Sequence, residues 1–259
     1  MAKYTVIIAT HGRPSLLARA IRSIRNQVFH DVALIVVSDE RSAETYNVAR
    51  SHLADEDIYM ERGGESGPAR SRTLALAVVR SEYVMFLDDD DEFSANYLAA
   101  AESCPNIAAN SVRFCDFYVA NDGKDRAGAS AAPPLAVTIG DRDPRTVYVR
   151  NYIPNSCLIY PLDAVAGKTF DETLVLNEDW DFLLNVTEGR PLVHFPALGP
   201  IIHKTDRSWG DRRGAVNDHL LPDILRRIYQ KWPAPTEALR AARQSLFAAA
   251  GLPLAAGEF

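Results

Sequence analysis

The sequence predicts an α/β fold in which a mostly parallel central sheet is flanked by helices, followed by a C-terminal helical extension. In the first 90 residues, short β-branched and apolar runs alternate with segments of helical periodicity. The runs are apolar at consecutive positions, which is typical of parallel strands buried on both faces. From Val216 onward the apolar residues follow helical spacing alone, and this predicts the extension.

The first part of the chain contains four predicted strands. They cover 4–9, 32–37, 57–60 and 83–87, and helices are predicted over 16–26, 43–52 and 69–79. Beyond residue 91 the alternation weakens: strands are predicted over 111–119 and 146–149, with a surface loop over 121–134 between them. Two helices, from 216 and over 236–250, close the chain. Ligands of such a sheet are expected at the carboxyl ends of its strands.

Composition and charge narrow the class of protein. The 259 residues are 47% hydrophobic and 24% charged, with a formal net charge of -6, which is typical of a globular protein and argues against a nucleic-acid partner. Cys104, Cys115 and Cys157 lack the spacing of a zinc site or a disulfide framework, so we expect reduced thiols. The N-terminus lacks the pattern of a signal peptide, and no apolar run reaches the roughly 20 residues of a membrane span. We therefore expect a cytoplasmic protein.

Four consecutive aspartates, at 88–91, directly follow the fourth predicted strand. Clustered carboxylates repel one another, and Mg²⁺ or Mn²⁺ prefers such oxygen ligands, with phosphate oxygens completing its shell. We assign Asp88 and Asp90 to a metal and nucleotide site on this ground. The alternative is that acidic residues stabilise the N-terminus of a helix beginning near Ser94, which would suit Asp91 and Glu92.

A second acidic group, Asn-Glu-Asp-Trp-Asp at 177–181, opens a predicted amphipathic helix. Acids at a helix start can act as partners of the helix dipole. They can also supply a general base, which takes the proton from a hydroxyl group as its oxygen attacks. The residues alone leave both interpretations open.

Taken together, these segments resemble the family 2 glycosyltransferases, whose fold is called GT-A. The resemblance runs from Tyr4 to about Trp209 and depends on the order and spacing of several motifs. They are Val-Ile-Ile-Ala-Thr-His-Gly-Arg-Pro at 6–14, Val-Val-Ser-Asp at 36–39, Gly-Pro-Ala-Arg at 67–70, Phe-Leu-Asp-Asp-Asp-Asp at 86–91, Phe-Asp-Glu at 170–172 and Glu-Asp-Trp-Asp at 178–181.

The resemblance implies roles for individual residues. Asp90 is the first choice for metal coordination, together with Asp88, which matches the family's DXD motif; Asp179 matches its catalytic base. The implied nucleotide contacts, with Asp39 at the base, are Thr10, Arg13, Asp39, Arg70, Asp88 and Asp89. His203 is either a structural residue or a further group at the metal or diphosphate.

Several positions, in two segments of the chain, depart from the family's pattern. Its usual Asp-Asp-Gly-Ser appears here as Ser-Asp-Glu-Arg at 38–41, which leaves the selectivity for the base open. Ser71 and Thr73 stand where the family commonly has Asn and Gly, so the helix there is expected to pack differently.

The implied function is that of an inverting, metal-dependent glycosyltransferase using Mn²⁺ or Mg²⁺. It takes a nucleotide-sugar donor, UDP being favoured, and a saccharide or lipid-linked acceptor of surface polysaccharide synthesis. The corresponding division is a domain of 1–215, with a nucleotide-binding half (1–103) and an acceptor-binding half (104–215), and an extension of 216–259. Alternatives are a sugar nucleotidyltransferase, although 10–14 lacks that class's glycine-rich loop, and a non-catalytic nucleotide-binding scaffold.

The C-terminal extension admits three interpretations: core packing, a homodimer contact, or an acceptor-side surface. Cationic residues with a neighbouring tryptophan would favour peripheral contact with anionic lipid. These are Arg212, Arg213, Arg226, Arg227, Lys231 and Trp232.

Overall fold

The computed structural model describes residues 1–104, 108–122, 133–204 and 218–251. Over these residues nine strands form one sheet in the order β3-β2-β1-β4-β8-β6-β9-β5, with β7 beside β6. The strands are β1 (Tyr4–Thr10), β2 (Val32–Ser38), β3 (Ile58–Glu61), β4 (Tyr83–Asp88), β5 (Glu92–Phe93), β6 (Val112–Asn121), β7 (Leu135–Val137), β8 (Leu158–Pro161) and β9 (Leu192–Lys204). The helices are α1 (Pro14–Arg25), α2 (Ala43–His52), α3 (Pro68–Leu76), α4 (Tyr97–Glu102), α5 (Leu162–Val165), α6 (Glu178–Thr187), α7 (Leu221–Lys231) and α8 (Glu237–Ala249).

The four strands predicted in the first part of the chain form the parallel half of the sheet. β1 lies between β2 and β4, and β3 extends the sheet beyond β2, all in parallel. Nearly every side chain of β1, β2 and β4 is buried, which explains why their sequences are apolar at consecutive positions. The register pairs Thr10 with Ser38 and Ala9 with Asp88, so the polar residues that end these strands meet at one edge. The predicted α/β class is confirmed.

The second half of the sheet is mixed. β8 runs antiparallel to β4 and β6, β5 runs antiparallel to β9, and β6 and β9 are parallel. The strand predicted over 146–149 is wrong, because Pro144–Tyr148 forms a 3₁₀ helix. Asp143 caps this helix by accepting a 3.0 Å hydrogen bond from the backbone N–H of Arg145, and Pro144 fixes the first helical φ.

The C-terminal helices pack against the sheet domain. Ile224, Ile228, Tyr229 and Phe247 are buried in this contact. Arg243 of α8 is 0% exposed, and its guanidinium donates 2.7 Å hydrogen bonds to the carbonyl oxygens of Tyr148 and Trp232. Core packing, one of the three interpretations of the extension, therefore applies to α7 and α8.

The structure describes only some of the cationic residues that would favour contact with lipid. Lys231 pairs with Asp181, and the Trp232 indole also donates to Asp181, so these two side chains face the domain. Arg212 and Arg213 lie outside the described residues, as do most of the loop predicted over 121–134 and the closing residues 257–259. Membrane contact and a homodimer stay predictions. Within the described ranges, no helix combines the length and apolarity that a membrane crossing requires.

Candidate active site

A cavity of about 600 Å³ opens at the carboxyl edge of the parallel strands. It lies where the polar ends of β1, β2 and β4 meet, which is the place expected for a ligand of such a sheet. It is lined by Ala9, Thr10, His11, Arg13, Leu16, Arg19, Asp39, Pro68, Arg72, Asp88, Asp89, Asp90, Asp122, Glu178 and His203.

Arg13 and the aspartates that follow β4 form one network. Asp89 is 0% exposed and accepts a 2.7 Å hydrogen bond from the Thr10 hydroxyl at the end of β1. Arg13 donates to both carboxylate oxygens of Asp89 and, over 2.7 Å, to Oδ2 of Asp90. Burial raises the pKa of Asp89 to about 6, although Arg13 and Thr10 act in the opposite direction. The sequence motifs therefore converge on one cluster.

Three of the aspartates are arranged in a way that suits a cation. Asp88, Asp90 and Asp91 each offer a carboxylate oxygen, and these oxygens lie within 4.8 Å of one another. Asp91 accepts a 2.9 Å hydrogen bond from the backbone N–H of His203, and burial together with the charges of Asp88 and Asp90 raises its pKa well above the ordinary value. A divalent ion would relieve this repulsion.

The helix-capping interpretation of Asp91 and Glu92 is wrong. The helix that follows begins at Tyr97 rather than near Ser94, and Glu92 lies in β5. Asp91 instead binds the backbone of β9, which leaves it at the floor of the acidic cluster.

His203, for which the sequence left a structural role and a site role open, lines the cavity. Both of its ring nitrogens contact carboxylates: Nδ1 lies 2.7 Å from Asp122, and Nε2 lies 2.9 Å from Glu92. Arg19 also contacts Asp122, over 3.1 Å. In this structure His203 thus contacts acidic side chains through the atoms that would bind a metal.

Asp39 lines the cavity with its carboxylate held by the protein. Oδ1 lies 2.6 Å from Nδ1 of His11, and Oδ2 accepts a 2.6 Å hydrogen bond from the backbone N–H of Gly67 and contacts Arg62. The loop that ends at Gly67 is thereby fixed to the end of β2. The half-exposed His11 ring also lines the cavity.

The two arginines of α3 differ in position. Arg70, which the resemblance assigned to the nucleotide, is exposed and is absent from the cavity lining. Arg72 is buried and lines the cavity instead. The sequence carried a signal for this: Arg72 lies three residues from both Ala69 and Ala75, on the buried face of the helix.

The acidic pair at the start of α6 faces the strand-end aspartates. Asn177 precedes the helix with φ 60°, a left-handed conformation that asparagine tolerates well. Glu178 lines the cavity, while the half-buried Asp179 accepts a 2.8 Å hydrogen bond from the backbone N–H of Trp180. Burial, and after it the negative charge of Glu178, raises the pKa of Asp179 to about 7. The charge of Asp88 also raises this pKa, whereas the charge of Arg72 lowers it.

Solved structures similar to this chain define its fold. TarS 1-349 of S. aureus in complex with UDP-GlcNAc superposes with a TM-score of 0.68 and 17% identity, covering 95% of this chain and 71% of that one. The mannosyltransferase PcManGT of Pyrobaculum calidifontis, in complex with GDP-Man and Mn²⁺, gives a TM-score of 0.57 and 15% identity, covering 98% and 76%. The fold is therefore the GT-A fold.

The sequence comparison agrees with the motifs. Residues 5–101 match the model described as Glycosyl transferase family 2, so the resemblance to this family found in the motifs is confirmed over this segment. The GalNAc(5)-diNAcBac-PP-undecaprenol beta-1,3-glucosyltransferase of Campylobacter jejuni is 36% identical over 102 residues, which are 38% of this chain and 33% of that protein. The matched segment spans a third or less of the first curated relatives.

Proposed function

We propose that this protein transfers a sugar from a nucleoside-diphosphate sugar to a saccharide or lipid-linked acceptor, with inversion at the anomeric carbon. One observation carries the proposal. The acidic cluster at the end of β4 and the acidic start of α6 border one cavity, with Arg72 bonded to both. A donor diphosphate at the first group would lie beside a candidate base at the second.

The charge of the cavity supports binding of the donor with a divalent cation. Among its described lining residues, six carboxylates stand against three guanidinium groups. A bare diphosphate would be repelled by these carboxylates, whereas a bound Mn²⁺ or Mg²⁺ would supply the positive charge that attracts it. Asp88 and Asp90 would hold the ion, with Asp91 as the third oxygen ligand, and the bound ion would offset the charge that develops on the leaving group.

Asp179 suits the role of general base. It takes the proton of the acceptor hydroxyl while that oxygen forms a bond to the anomeric carbon. The bond between that carbon and the phosphate oxygen breaks, and its electron pair leaves with the nucleoside diphosphate. A pKa of about 7 matches a base that works near neutral pH. Glu178 is a weaker candidate because Arg72 already holds its carboxylate.

We base the proposed donor and acceptor on the similar proteins. UDP is the first choice, since UDP-GlcNAc is bound in the TarS structure, and GDP is the second, since GDP-Man is bound in PcManGT. The undecaprenol-linked substrate named for the Campylobacter protein favours a lipid-linked acceptor in surface glycan synthesis. The cytoplasmic location predicted from the sequence stays a prediction, as does the division at residue 215.

The decisive experiment compares Asp179→Asn with the wild type. Transfer and donor hydrolysis are measured by release of nucleoside diphosphate, with pyrophosphate formation followed in parallel, and UDP–Mn²⁺ binding is measured by calorimetry. We expect the variant to lose turnover and retain binding. Asp163→Asn, which also changes an aspartate in the first turn of a helix but at an exposed position, is the matched control.

Three results would contradict the proposal. Full turnover of the Asp179→Asn variant would remove the base assignment. Formation of pyrophosphate in place of nucleoside diphosphate would favour a nucleotidyltransferase. Binding without any transfer or hydrolysis by the wild type, across a panel of donors, would favour a scaffold.

A further inference from the structure

Arg72 connects two parts of the cavity that are far apart in the chain. Its side chain is 6% exposed. Nη2 donates a 2.6 Å hydrogen bond to Oδ1 of Asp88 at the end of β4, and Nη1 donates a 2.8 Å hydrogen bond to Oε1 of Glu178 at the start of α6. The guanidinium also lies 5.6 Å from the ring centroid of Phe170. It is thus bound on two sides by carboxylates and packed against an aromatic ring.

The geometry of this contact requires arginine. A guanidinium is a rigid planar fork, so two of its nitrogens can bind two different carboxylates at a fixed separation. A lysine ammonium is a single point charge on a flexible stem, and it could neutralise one of the two carboxylates without fixing the other. The distance between Asp88 and Glu178 is therefore set by one rigid group.

The charge of Arg72 is maintained despite its burial. Burial alone would lower its pKa, but the neighbouring charges of Asp88, Glu178 and Asp179 hold that pKa above the ordinary value. The arginine is therefore a permanent cation between the two acidic groups. Without it, Glu178 and Asp179 would repel Asp88 across the cavity, and the first turn of α6 would lose the ionic contact that Arg72 makes with the end of β4.

We propose that Arg72 is a positioning residue that couples the nucleotide-binding carboxylate Asp88 to the start of α6, and so fixes Asp179 relative to the donor. This inference rests on the proposed function for its catalytic consequence. Its structural content, that Arg72 holds α6 against the end of β4, stands independently. Arg72 acts through Glu178 and Asp88 and takes no part in the bonds that form or break.

The test uses Arg72→Met and Arg72→Lys, with Arg113→Met as the matched control. Arg113 is also a buried arginine over an aromatic ring, at 4.3 Å from the centroid of Tyr83, which lies at the opposite end of β4 from Asp88. Its replacement controls for the general loss of a buried guanidinium. Thermal unfolding is recorded for each variant so that changes in rate are compared among folded proteins.

The first readout is kinetic. Because a displacement of about 1 Å can cost on the order of 100-fold in rate, we expect Arg72→Met to lower kcat by about 100-fold. We expect the Kd for UDP–Mn²⁺ to change by less than about tenfold, Arg72→Lys to recover part of kcat, and Arg113→Met to leave kcat unchanged. Adding Glu178→Ala to Arg72→Met should cost no more than the larger single loss, because the two residues act as one unit. Unchanged kcat with weakened UDP binding would instead make Arg72 a donor contact and overturn the proposal.

The second readout needs no activity. Hydrogen exchange of the amides in the first turn of α6 should be faster in Arg72→Met than in the wild type, and unchanged in Arg113→Met. Unchanged exchange at α6 would overturn the positioning role. If the wild type itself transfers and hydrolyses no sugar donor, the proposed function fails, while this exchange measurement still decides whether Arg72 holds α6 in place.

Discussion

The indole Nε1 of Trp232 donates a 2.8 Å hydrogen bond to Oδ1 of Asp181, which lies two residues beyond the proposed base Asp179. Nζ of Lys231 lies 2.8 Å from the other oxygen, Oδ2, of the same carboxylate. Asp181 of α6 is 1% exposed. Lys231 is the last residue of α7 and Trp232 follows it, so the end of α7 supplies both partners of this buried carboxylate. The C-terminal helices are thereby tied to the helix that begins with the acidic pair.

We predict that Asp181→Ala lowers the free energy of unfolding by about 1–3 kcal/mol, because it leaves the Trp232 indole N–H without its acceptor. Lys231 adds little to this cost, since its side chain is 42% exposed and also lies 3.5 Å from Asp171. Trp232→Phe, which removes only the indole donor, should cost about 1–3 kcal/mol. Urea denaturation measures both. Asp223→Asn is the control, since Asp223 pairs with Arg226 at the surface and is expected to change stability by under about 0.5 kcal/mol. Equal stability of Asp181→Ala and wild type would contradict the role of this contact.

Arg13 neutralises part of the acidic cluster before any metal arrives. Its Nη1 lies 2.7 Å from Oδ2 of Asp90, and it also pairs with the buried Asp89. We therefore predict that Arg13→Gln binds Mn²⁺ alone about tenfold more tightly than the wild type does, a change of about 1.4 kcal/mol. Calorimetric titration with Mn²⁺ in the absence of nucleotide measures this. Arg22→Gln, in the last turn of α1, should leave the affinity unchanged. Weaker Mn²⁺ binding by Arg13→Gln would exclude a competition between Arg13 and the ion for Asp90.

The pH dependence of transfer follows from the raised pKa of Asp179, about 7. The base must be unprotonated to accept the hydroxyl proton, so activity is lost as the pH falls through this value. We predict that kcat/KM rises about tenfold per pH unit below pH 7 and levels off above it. Initial rates between pH 5.5 and 8.5, at saturating Mn²⁺, test the prediction. A profile that stays flat down to pH 5.5 is incompatible with Asp179 as the base in this environment.

Gly199 of β9 packs directly against buried side chains. A Cβ atom at this position would lie 2.6 Å from the ring of Tyr97 and 2.7 Å from Sγ of Cys115, both fully buried. We predict that Gly199→Ala lowers the free energy of unfolding by about 1–3 kcal/mol, because the core must shift to admit one methyl group. Chemical denaturation measures the loss. Gly63→Ala, where a Cβ would meet nothing within 4 Å, should show no such loss.

The elements that were predicted correctly are those specified by local pattern. The strands of the parallel half follow from consecutive apolar residues, and α2 was predicted over the same residues that it occupies. β5, β7 and β8 were missed because they are two to four residues long and exist through pairing with distant strands. The misassigned segment at 146–149 contains β-branched residues, but Pro144 after a capping Asp143 favours a helical turn.

For the site, the sequence located the carboxylates and Arg13, which pairs with two of them, but not Arg72. Most of the motif residues assigned to the donor line the cavity, because strand ends of a parallel sheet converge by geometry. Arg72 was missed and Arg70 was preferred, since choosing between two arginines on one helix depends on which face is buried. The contacts of His203 with Asp122 and Glu92 join β9 to β5 and to the residue that follows β6, and no local pattern specifies them.

Among the described lining residues of the cavity, carboxylates outnumber guanidinium groups, and this charge would favour departure of the spent nucleotide under the proposed function. These carboxylates would repel a nucleoside diphosphate that has lost its cation, so loss of the ion would promote release of the product. Product inhibition should therefore follow the concentration of free metal, and a chelator should free the protein of spent nucleotide as well as of the ion.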